Sequence, residues 1–346
     1  MHIGIPKEIK TAERRVALTP AACETLVKAG HTVSLETTAG VAAGFPDSVY
    51  TAVGVKIEPS AKALYAAAQM IVKVKEPQKA DLENLRNDHL LFCYLHLAAE
   101  PDLTAALQKI GLTAVAFETV EENGRTPLLA PMSAVAGRLA VQIGTWYLHA
   151  PRGGRGVLMG GITGMTGGNV LVLGAGVAGR EAAAAAYGMN ADVTVLDINQ
   201  ARLDELKAQF PKMTVRQSST EAINELLPKA DLLVGSVYII GKHAPRLVTE
   251  AQIKTMRPGS VVVDISIDQG GCIETSRPCT HEMPVYTVHG VIHSCITNMP
   301  GAVPVTSSQA LSNAILPYVG QLAKGDWTPA LMKGVNVKGG ELKIAL

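Results

Sequence analysis

Gly174-Ala175-Gly176-Val177-Ala178-Gly179 is a G-x-G-x-x-G, a spacing suited to holding a pyrophosphate. The run Val170–Leu173 before it is strand-like, and Arg180–Tyr187 after it favours helix. A second strand-like run, Val193–Leu196, ends in Asp197. The glycine spacing alone is common, but in this setting it is the dinucleotide fingerprint. Gly174 permits the tight turn, Gly176 lets the pyrophosphate approach the backbone, and Gly179 lets the helix pack close to the strand. Unpaired N–H groups at the helix start, around Val177 and Ala178, face the phosphates. Asp197 accepts hydrogen bonds from ribose hydroxyls and repels a 2′-phosphate, so the expected cofactor is NAD rather than NADP. The plainer reading is a glycine turn in an α/β domain that binds no nucleotide.

Ligands of open α/β sheets sit beyond the carboxyl ends of the strands. That rule selects three more residues. The run Met70–Val74 ends at Lys75, Leu90–Leu95 ends at His96, and Val261–Ile265 is followed by Asp268. A lysine, a histidine and an aspartate at such ends can form one site between two domains. Taken singly each has an ordinary reading: a solvated lysine, a capped core histidine, a turn carboxylate.

These residues need a scaffold of alternating strands and helices. In the first 120 residues the runs His2–Ile5, Thr32–Leu35, Met70–Val74, Leu90–Leu95 and Thr113–Phe117 alternate with helical stretches such as Thr19–Lys28 and Asp102–Ile110. A second series follows a long helix, Ser133–His149, with strands at Val170–Leu173, Val193–Leu196, Leu232–Val234 and Val261–Ile265. Helical spacing returns over 306–323. The fold class expected is α/β, with two Rossmann-like doubly wound domains and a cleft between them. A discontinuous substrate domain, 1–127 plus 307–346, would carry an inserted NAD-binding domain, 128–306.

Composition narrows the function classes. The 346 residues are 47% hydrophobic and 18% charged, which excludes a disordered chain. Thirty-one basic against 30 acidic residues leave no positive surplus for nucleic acid. Residues 156–179 carry no charge and are long enough to span a bilayer, but nine of the 24 are glycine, so loops around a buried strand are expected instead. Five cysteines, none in a C-x-x-C pair, suggest reduced thiols. The opening MHIGIPKEIK lacks a signal-peptide core, and a cytoplasmic location is expected.

The chain resembles the bacterial NAD-dependent L-alanine dehydrogenases over nearly its whole length. The resemblance is carried by Gly4-Ile5-Pro6-Lys7-Glu8, Arg15-Val16-Ala17-Leu18-Thr19-Pro20, Lys73-Val74-Lys75-Glu76-Pro77 and Tyr94-Leu95-His96-Leu97-Ala98-Ala99. The Gly174 loop, Asp268-Gln269-Gly270-Gly271-Cys272 and Asn298-Met299-Pro300-Gly301-Ala302-Val303-Pro304 complete it. The NAD-binding subunit of proton-translocating transhydrogenases shares the opening motif, and a carrier of that kind is the alternative. A carrier needs no acid/base pair, so Arg15, Lys75, His96 and Asp268 together argue against it. A related dehydrogenase acting on another amino acid or an imine is a further alternative.

The resemblance implies roles. Arg15 would grip the substrate carboxylate with two parallel N–H bonds, and Lys75 would polarise the keto oxygen. His96 would be the acid/base, with Asp268 a second proton donor or acceptor. The cofactor would meet Ser133, Gly174, Gly176, Val177, Ala178, Gly179, Asp197, Arg202, Ser218, Val237, Tyr238, Ile265, Ser266, Ile267, Asp268, Ile296, Thr297, Asn298 and Met299. Reductive amination of pyruvate passes through a carbinolamine and an iminium ion, so protons must move at oxygen and nitrogen, work suited to histidine. The substrates implied are L-alanine, pyruvate and ammonium, with no nucleic-acid or membrane partner and a homo-oligomer, a hexamer in the family. No metal is expected, although Cys272, Cys279, His281, His289, His293 and Cys295 cluster in sequence and His289/His293 have a zinc-like spacing. The chain departs from the family pattern at Ser294, where an aromatic residue is usual, at Val305, and at Thr163 in place of proline.

Overall fold

The computed structural model describes residues 1–238 and 243–344. In chain order the strands are β1 (His2–Ile5), β2 (Thr32–Glu36), β3 (Lys56–Glu58), β4 (Met70–Val72), β5 (Leu90–Cys93), β6 (Thr113–Ala116), β7 (Asn169–Leu173) and β8 (Asp192–Asp197). They continue with β9 (Thr214–Gln217), β10 (Leu232–Gly235), β11 (Val261–Asp264), β12 (Tyr286–Val288), β13 (Val291–Ser294), β14 (Val335–Lys338) and β15 (Glu341–Leu342). The chain divides into two compact units, Met1–Met132 with Gly301–Leu346, and Ser133–Pro300. The first boundary falls within the helix Ala130–Tyr147.

The first unit holds an eight-stranded sheet in the order β15-β14-β6-β5-β4-β1-β2-β3. All neighbours are parallel except β14 on β6 and β15 on β14. The order reverses between β1 and β4, so the carboxyl ends of β1 and β4 flank a switch point. Every residue of β4 and β5 is buried, which is why both read as unbroken apolar runs: helices cover both faces. The helix Pro20–Lys28 starts on a proline that needs no N–H partner, and Ala22, Cys23 and Leu26 form its buried stripe.

The second unit holds a seven-stranded sheet in the order β12-β13-β11-β10-β7-β8-β9, parallel except for β12 on β13. Its switch point lies between β7 and β10. Leu171, Leu173, Leu196, Leu233 and Val262 pack with Ile223, Ile253 and Cys272 in one core cluster. The helix Val177–Gly188 is alanine-rich on its buried side, Ala182, Ala183 and Ala186, so it lies close to the sheet.

Three strands, β4, β5 and β11, are shorter at their carboxyl ends than their apolar runs suggest. β4 stops at Val72, and Lys73 and Val74 continue as extended chain, Lys73 N–H bonding Phe92 O and Tyr94 N–H bonding Val74 O. β5 stops at Cys93, and His96 adopts a left-handed conformation, φ 50°, that turns the chain out of the sheet. β11 stops at Asp264, and Ile265–Gln269 is a 3₁₀ turn. No helix of the described residues is long and apolar enough to cross a membrane.

Candidate active site

In the second unit the loop after β7 turns at Gly174, φ 99°, where an added Cβ would meet Ser236 O at 2.8 Å. At Gly179 a Cβ would lie 1.8 Å from Gly174 O and 2.6 Å from Ser236 Oγ. Both glycines are therefore required by the fold. Gly176 differs. It is the N-cap of the helix Val177–Gly188, with ordinary extended angles, and a Cβ there would meet nothing within 4 Å. Its open face is what a pyrophosphate seated on a helix N-terminus requires, and the loop fits a dinucleotide. Ser236, just past β10, ties that strand's end to β7 and the loop by donating Oγ–H to Leu173 O at 2.7 Å and to Gly174 O at 3.2 Å.

Asp197, at the end of β8, is nearly buried and already holds backbone. Its Oδ2 accepts from Ala175 N–H inside the glycine loop, its Oδ1 from Asn199 N–H at 2.7 Å, and its carbonyl from Ser218 N–H at 2.9 Å. It thus anchors the glycine loop to the end of β8. Arg202 is exposed on the following helix, its N–H capped by Asn199 Oδ1. Val177 and Tyr238 are exposed at 45% and 43% beyond the ends of β7 and β10.

A third strand end completes this side. Asp264, fully buried at the end of β11, accepts from Ser266 N–H, Cys272 N–H, Ile273 N–H and Ser276 Oγ–H. Burial pushes its carboxyl above the usual carboxylate range despite those donors. These bonds shape the turn that holds Ile265, Ser266, Ile267 and Asp268, and Ser266 Oγ accepts from Val237 N–H at 2.9 Å. Asp268 stands exposed on that turn, with no hydrogen-bond partner among the described residues. Ile296 and Met299 are buried, Thr297 N–H bonds Cys279 O, and Asn298 is left-handed, φ 57°. Ser133 is half-buried on the helix Ala130–Tyr147.

The first unit carries Arg15, Lys75 and His96. Arg15 lies in the loop after β1 and is 2% exposed. Its side-on edge is occupied: Nε donates to Glu13 Oε1 at 2.7 Å and Nη2 to Glu13 Oε2 at 2.5 Å, while Nη1 faces Met132 Sδ at 3.1 Å. That edge belongs to Glu13, so the expected two-bond grip on a carboxylate would use the Nη1–Nη2 edge. Lys75 is 8% exposed and has no hydrogen-bond acceptor among the described residues. Its neighbour Glu76 pairs with Lys10. Burial alone would raise the Glu76 carboxyl, but the Lys10 bond and the Lys75 charge outweigh it and hold it below the usual range. The His96 ring is about one-third exposed, stacked on Tyr94 with centroids 5.8 Å apart.

Behind each of these side chains stands a buried carboxylate that the strand-end rule passed over. Glu13 holds Arg15. Glu8 Oε1 accepts from Val74 N–H at 2.6 Å and so fixes the backbone next to Lys75. Glu118, just beyond β6, accepts from Leu95 N–H and His96 N–H at 3.1 and 2.6 Å and lies 3.9 Å from His96 Nδ1. Beneath them Lys73, 0% exposed, lies between Glu8 and Asp81 at 3.5 and 3.2 Å. Burial opposes its charge, but the two carboxylates prevail and raise its pKa. Burial likewise raises the Glu8 carboxyl.

Among the described residues no three His, Cys, Asp or Glu side chains converge as metal ligands. His293 bonds Thr275 Oγ1 and Val291 O instead, and His289 bonds Glu250. Ser294 is buried, donating to Pro284 O at 2.9 Å, whereas Val305 is 49% exposed on the helix Pro304–Lys324.

Two doubly wound units, one with a glycine loop shaped for a pyrophosphate, place this chain in the class of dinucleotide-binding α/β proteins. Two family models match it: the alanine dehydrogenase/PNT N-terminal domain over residues 4–136 and the alanine dehydrogenase/PNT C-terminal domain over 140–344. An alanine dehydrogenase of Methanococcus maripaludis is 47% identical, covering 99% of this chain and 94% of that protein. One from Bacillus subtilis is 46% identical, covering 98% and 90%. A solved L-alanine dehydrogenase superposes with a TM-score of 0.95 at 48% identity, covering 99% of this chain and 97% of that one. A transhydrogenase of Sinorhizobium meliloti, 24% identical with a TM-score of 0.84 and 99% coverage of both chains, shares the fold. The chain belongs to the alanine dehydrogenase/PNT family.

Proposed function

We propose that this chain is an NAD-dependent alanine dehydrogenase, interconverting L-alanine with pyruvate and ammonium. The observation that carries the reading is the likeness, at 46–48% identity over nearly the full length of both chains, to proteins named alanine dehydrogenase. The glycine loop with the open face of Gly176 supports it. When bound, the nicotinamide gives or takes the hydride. The protein's part is to bind, orient and move protons. The N–H groups around Gly176, Val177 and Ala178 hold the pyrophosphate, and Asp197 takes the ribose hydroxyls. Its oxygens each carry one backbone donor and keep a further lone pair.

Arg15 binds the substrate carboxylate. Lys75, a buried ammonium without an internal acceptor, polarises the keto oxygen and offsets negative charge as it develops there. His96 exchanges protons with the substrate oxygen and nitrogen. Its exposure lets it re-equilibrate with solvent, while Tyr94 and Glu118 fix where the ring stands. Asp268, exposed on the turn that Asp264 shapes, is the second proton carrier. The chain works in the cytoplasm as a homo-oligomer, a hexamer, on small-molecule substrates, without nucleic-acid or membrane partners. The test is NADH oxidation with pyruvate plus ammonium, run beside 2-oxoglutarate, oxaloacetate and branched 2-oxo acids. Turnover that requires ammonium and favours pyruvate supports the reading, and equal or greater turnover with another 2-oxo acid overturns the substrate assignment.

A further inference from the structure

The pair Glu13–Arg15 is folded back on its own loop. Ala12 is left-handed, φ 61°, and Glu13 N–H bonds Lys10 O at 3.0 Å, closing a turn. Glu13 Oε1 then accepts from three donors, Arg14 N–H at 3.1 Å, Arg15 N–H at 3.0 Å and Arg15 Nε at 2.7 Å, while Oε2 accepts from Arg15 Nη2. The Glu13 side chain is 0% exposed and that of Arg15 2%. We infer that Glu13 is the positioning residue of the substrate-carboxylate site, setting the plane of the Arg15 guanidinium and the edge it turns to the substrate. The inference rests on the reading of Arg15 as the carboxylate-binding residue.

The chemistry of the four bonds supports it. All four reach Glu13 from N–H donors, so only a group with acceptors on both atoms fits. Two of the four come from the guanidinium itself, which fixes its plane as well as its place. A free arginine must give up rotamer freedom to grip a ligand; one held in this way has already done so. Burial opposes the Arg15 charge, but Glu13, with smaller help from Tyr94 and Glu8, outweighs it, so the buried cation persists.

Glu13 has a second effect of opposite sign, since its charge offsets the attraction of Arg15 for a substrate carboxylate. Two variants separate them. Glu13→Asp keeps the charge but withdraws the acceptors by one methylene. Glu13→Gln removes the charge and sets a donor against Arg15 Nη2. If position matters most, both raise the pyruvate KM by about tenfold or more, the worth of one charge-assisted bond, with kcat within about threefold and NADH affinity unchanged.

The experiment is steady-state kinetics and NADH titration on wild type, Glu13→Asp, Glu13→Gln, Arg15→Met and Arg15→Met/Glu13→Gln. The double variant removes both charges, so neither is left buried and unpaired. Glu13→Gln should add no further loss in the Arg15→Met background. A wild-type KM in Glu13→Asp together with a lowered KM in Glu13→Gln would show that Glu13 only screens charge, and the inference falls. It falls equally if the losses multiply in the double variant, as they would for a residue that merely scaffolds the loop. Failure of the wild type to oxidise NADH with pyruvate and ammonium strikes instead at the functional reading, before any variant is compared.

Discussion

Gly176 and Gly179 stand three residues apart in one motif, yet the structure gives them different tasks, and substitution by alanine separates the two. At Gly176 the backbone, φ −68° and ψ −171°, suits any residue, and the added Cβ meets no atom within 4 Å. Alanine is a poorer N-cap than glycine by about 0.5–1 kcal/mol, while the stiffer unfolded chain returns about 0.4–1 kcal/mol. The net change in stability is therefore within about 1 kcal/mol, a shift of about 2–4 °C in Tm at most. At Gly179 the Cβ falls 1.8 Å from Gly174 O, so helix and loop must part, at a cost of about 1–3 kcal/mol or more. Binding should show the contrast in pure form. The methyl of Gly176→Ala occupies the face that a pyrophosphate would use, and losing one charge-assisted bond there weakens NADH binding by about tenfold to a hundredfold. Thermal melts and fluorescence titration with NADH measure the two quantities. Gly176→Ala should bind poorly at nearly wild-type Tm, whereas Gly179→Ala should lose Tm. A Gly176→Ala protein with NADH affinity within twofold of wild type would refute the assignment of this loop to the cofactor.

Three further outcomes follow from the same geometry. His96→Ala should lower turnover by about 10²–10⁴-fold with NADH binding retained, and near-normal turnover would make His96 structural. The wild type should prefer NAD(H) over NADP(H) by well over tenfold. Asp197→Ala should narrow that gap and also weaken NADH binding, because it releases Ala175 N–H from the loop; equal use of both cofactors by the wild type would remove the basis. His89 is buried with Nδ1 accepting from Arg86 N–H, so burial first and the Arg86 charge second hold its pKa below the ordinary histidine value. The unfolded chain then binds a proton that the folded chain resists, and stability falls as pH drops below about 6.5. His89→Phe should start less stable at about pH 7.5 but lose less Tm on going to about pH 5.5; an unchanged pH loss would exclude His89 as its source.

The parallel core was legible because burial on both faces leaves its mark in composition. β4, β5, β7, β10 and β11 are unbroken apolar runs, and glycine and proline mark the turns around them. What escaped is what burial does not mark. β3 and β9 are edge strands with exposed or half-exposed residues, Lys56–Glu58 and Thr214–Gln217, with no apolar run to mark a strand there. β12 and β13 form a hairpin around His289 and Gly290, both left-handed, where no strong turn dipeptide announces it. The carboxyl ends were placed too far along for a different reason. Apolar character continues through Val74, Leu95 and Ile265, but just past the ends of β4, β5 and β11 the N–H groups of Val74, Leu95 and Ser266 turn to the side chains of Glu8, Glu118 and Asp264.

Those three carboxylates explain why the site was only half legible. The strand-end rule looks for residues that face a ligand, and it finds Lys75, His96 and Asp268. It is silent on residues that face the backbone, although the same rule applied to the run Thr113–Phe117 points at Glu118, the next residue. An acidic side chain just past a strand is ordinary in a sequence. Its role shows only when it accepts N–H groups that a neighbouring strand would otherwise have taken. Buried carboxylates of this kind recur behind each candidate side chain: Glu13 behind Arg15, Glu8 behind Lys75, Glu118 behind His96 and Asp264 behind Asp268. Glu8, Glu118 and Asp264 accept backbone N–H groups just beyond the ends of β4, β5 and β11, and Glu13 accepts them in the loop after β1, each at or within two residues of one of these side chains. The scaffold thus solves a hydrogen-bonding problem and an aiming problem with one group. Removing such a carboxylate should therefore disturb stability and catalysis together, whereas removing His96 or Asp268, which leaves no buried ion pair broken, should disturb catalysis alone.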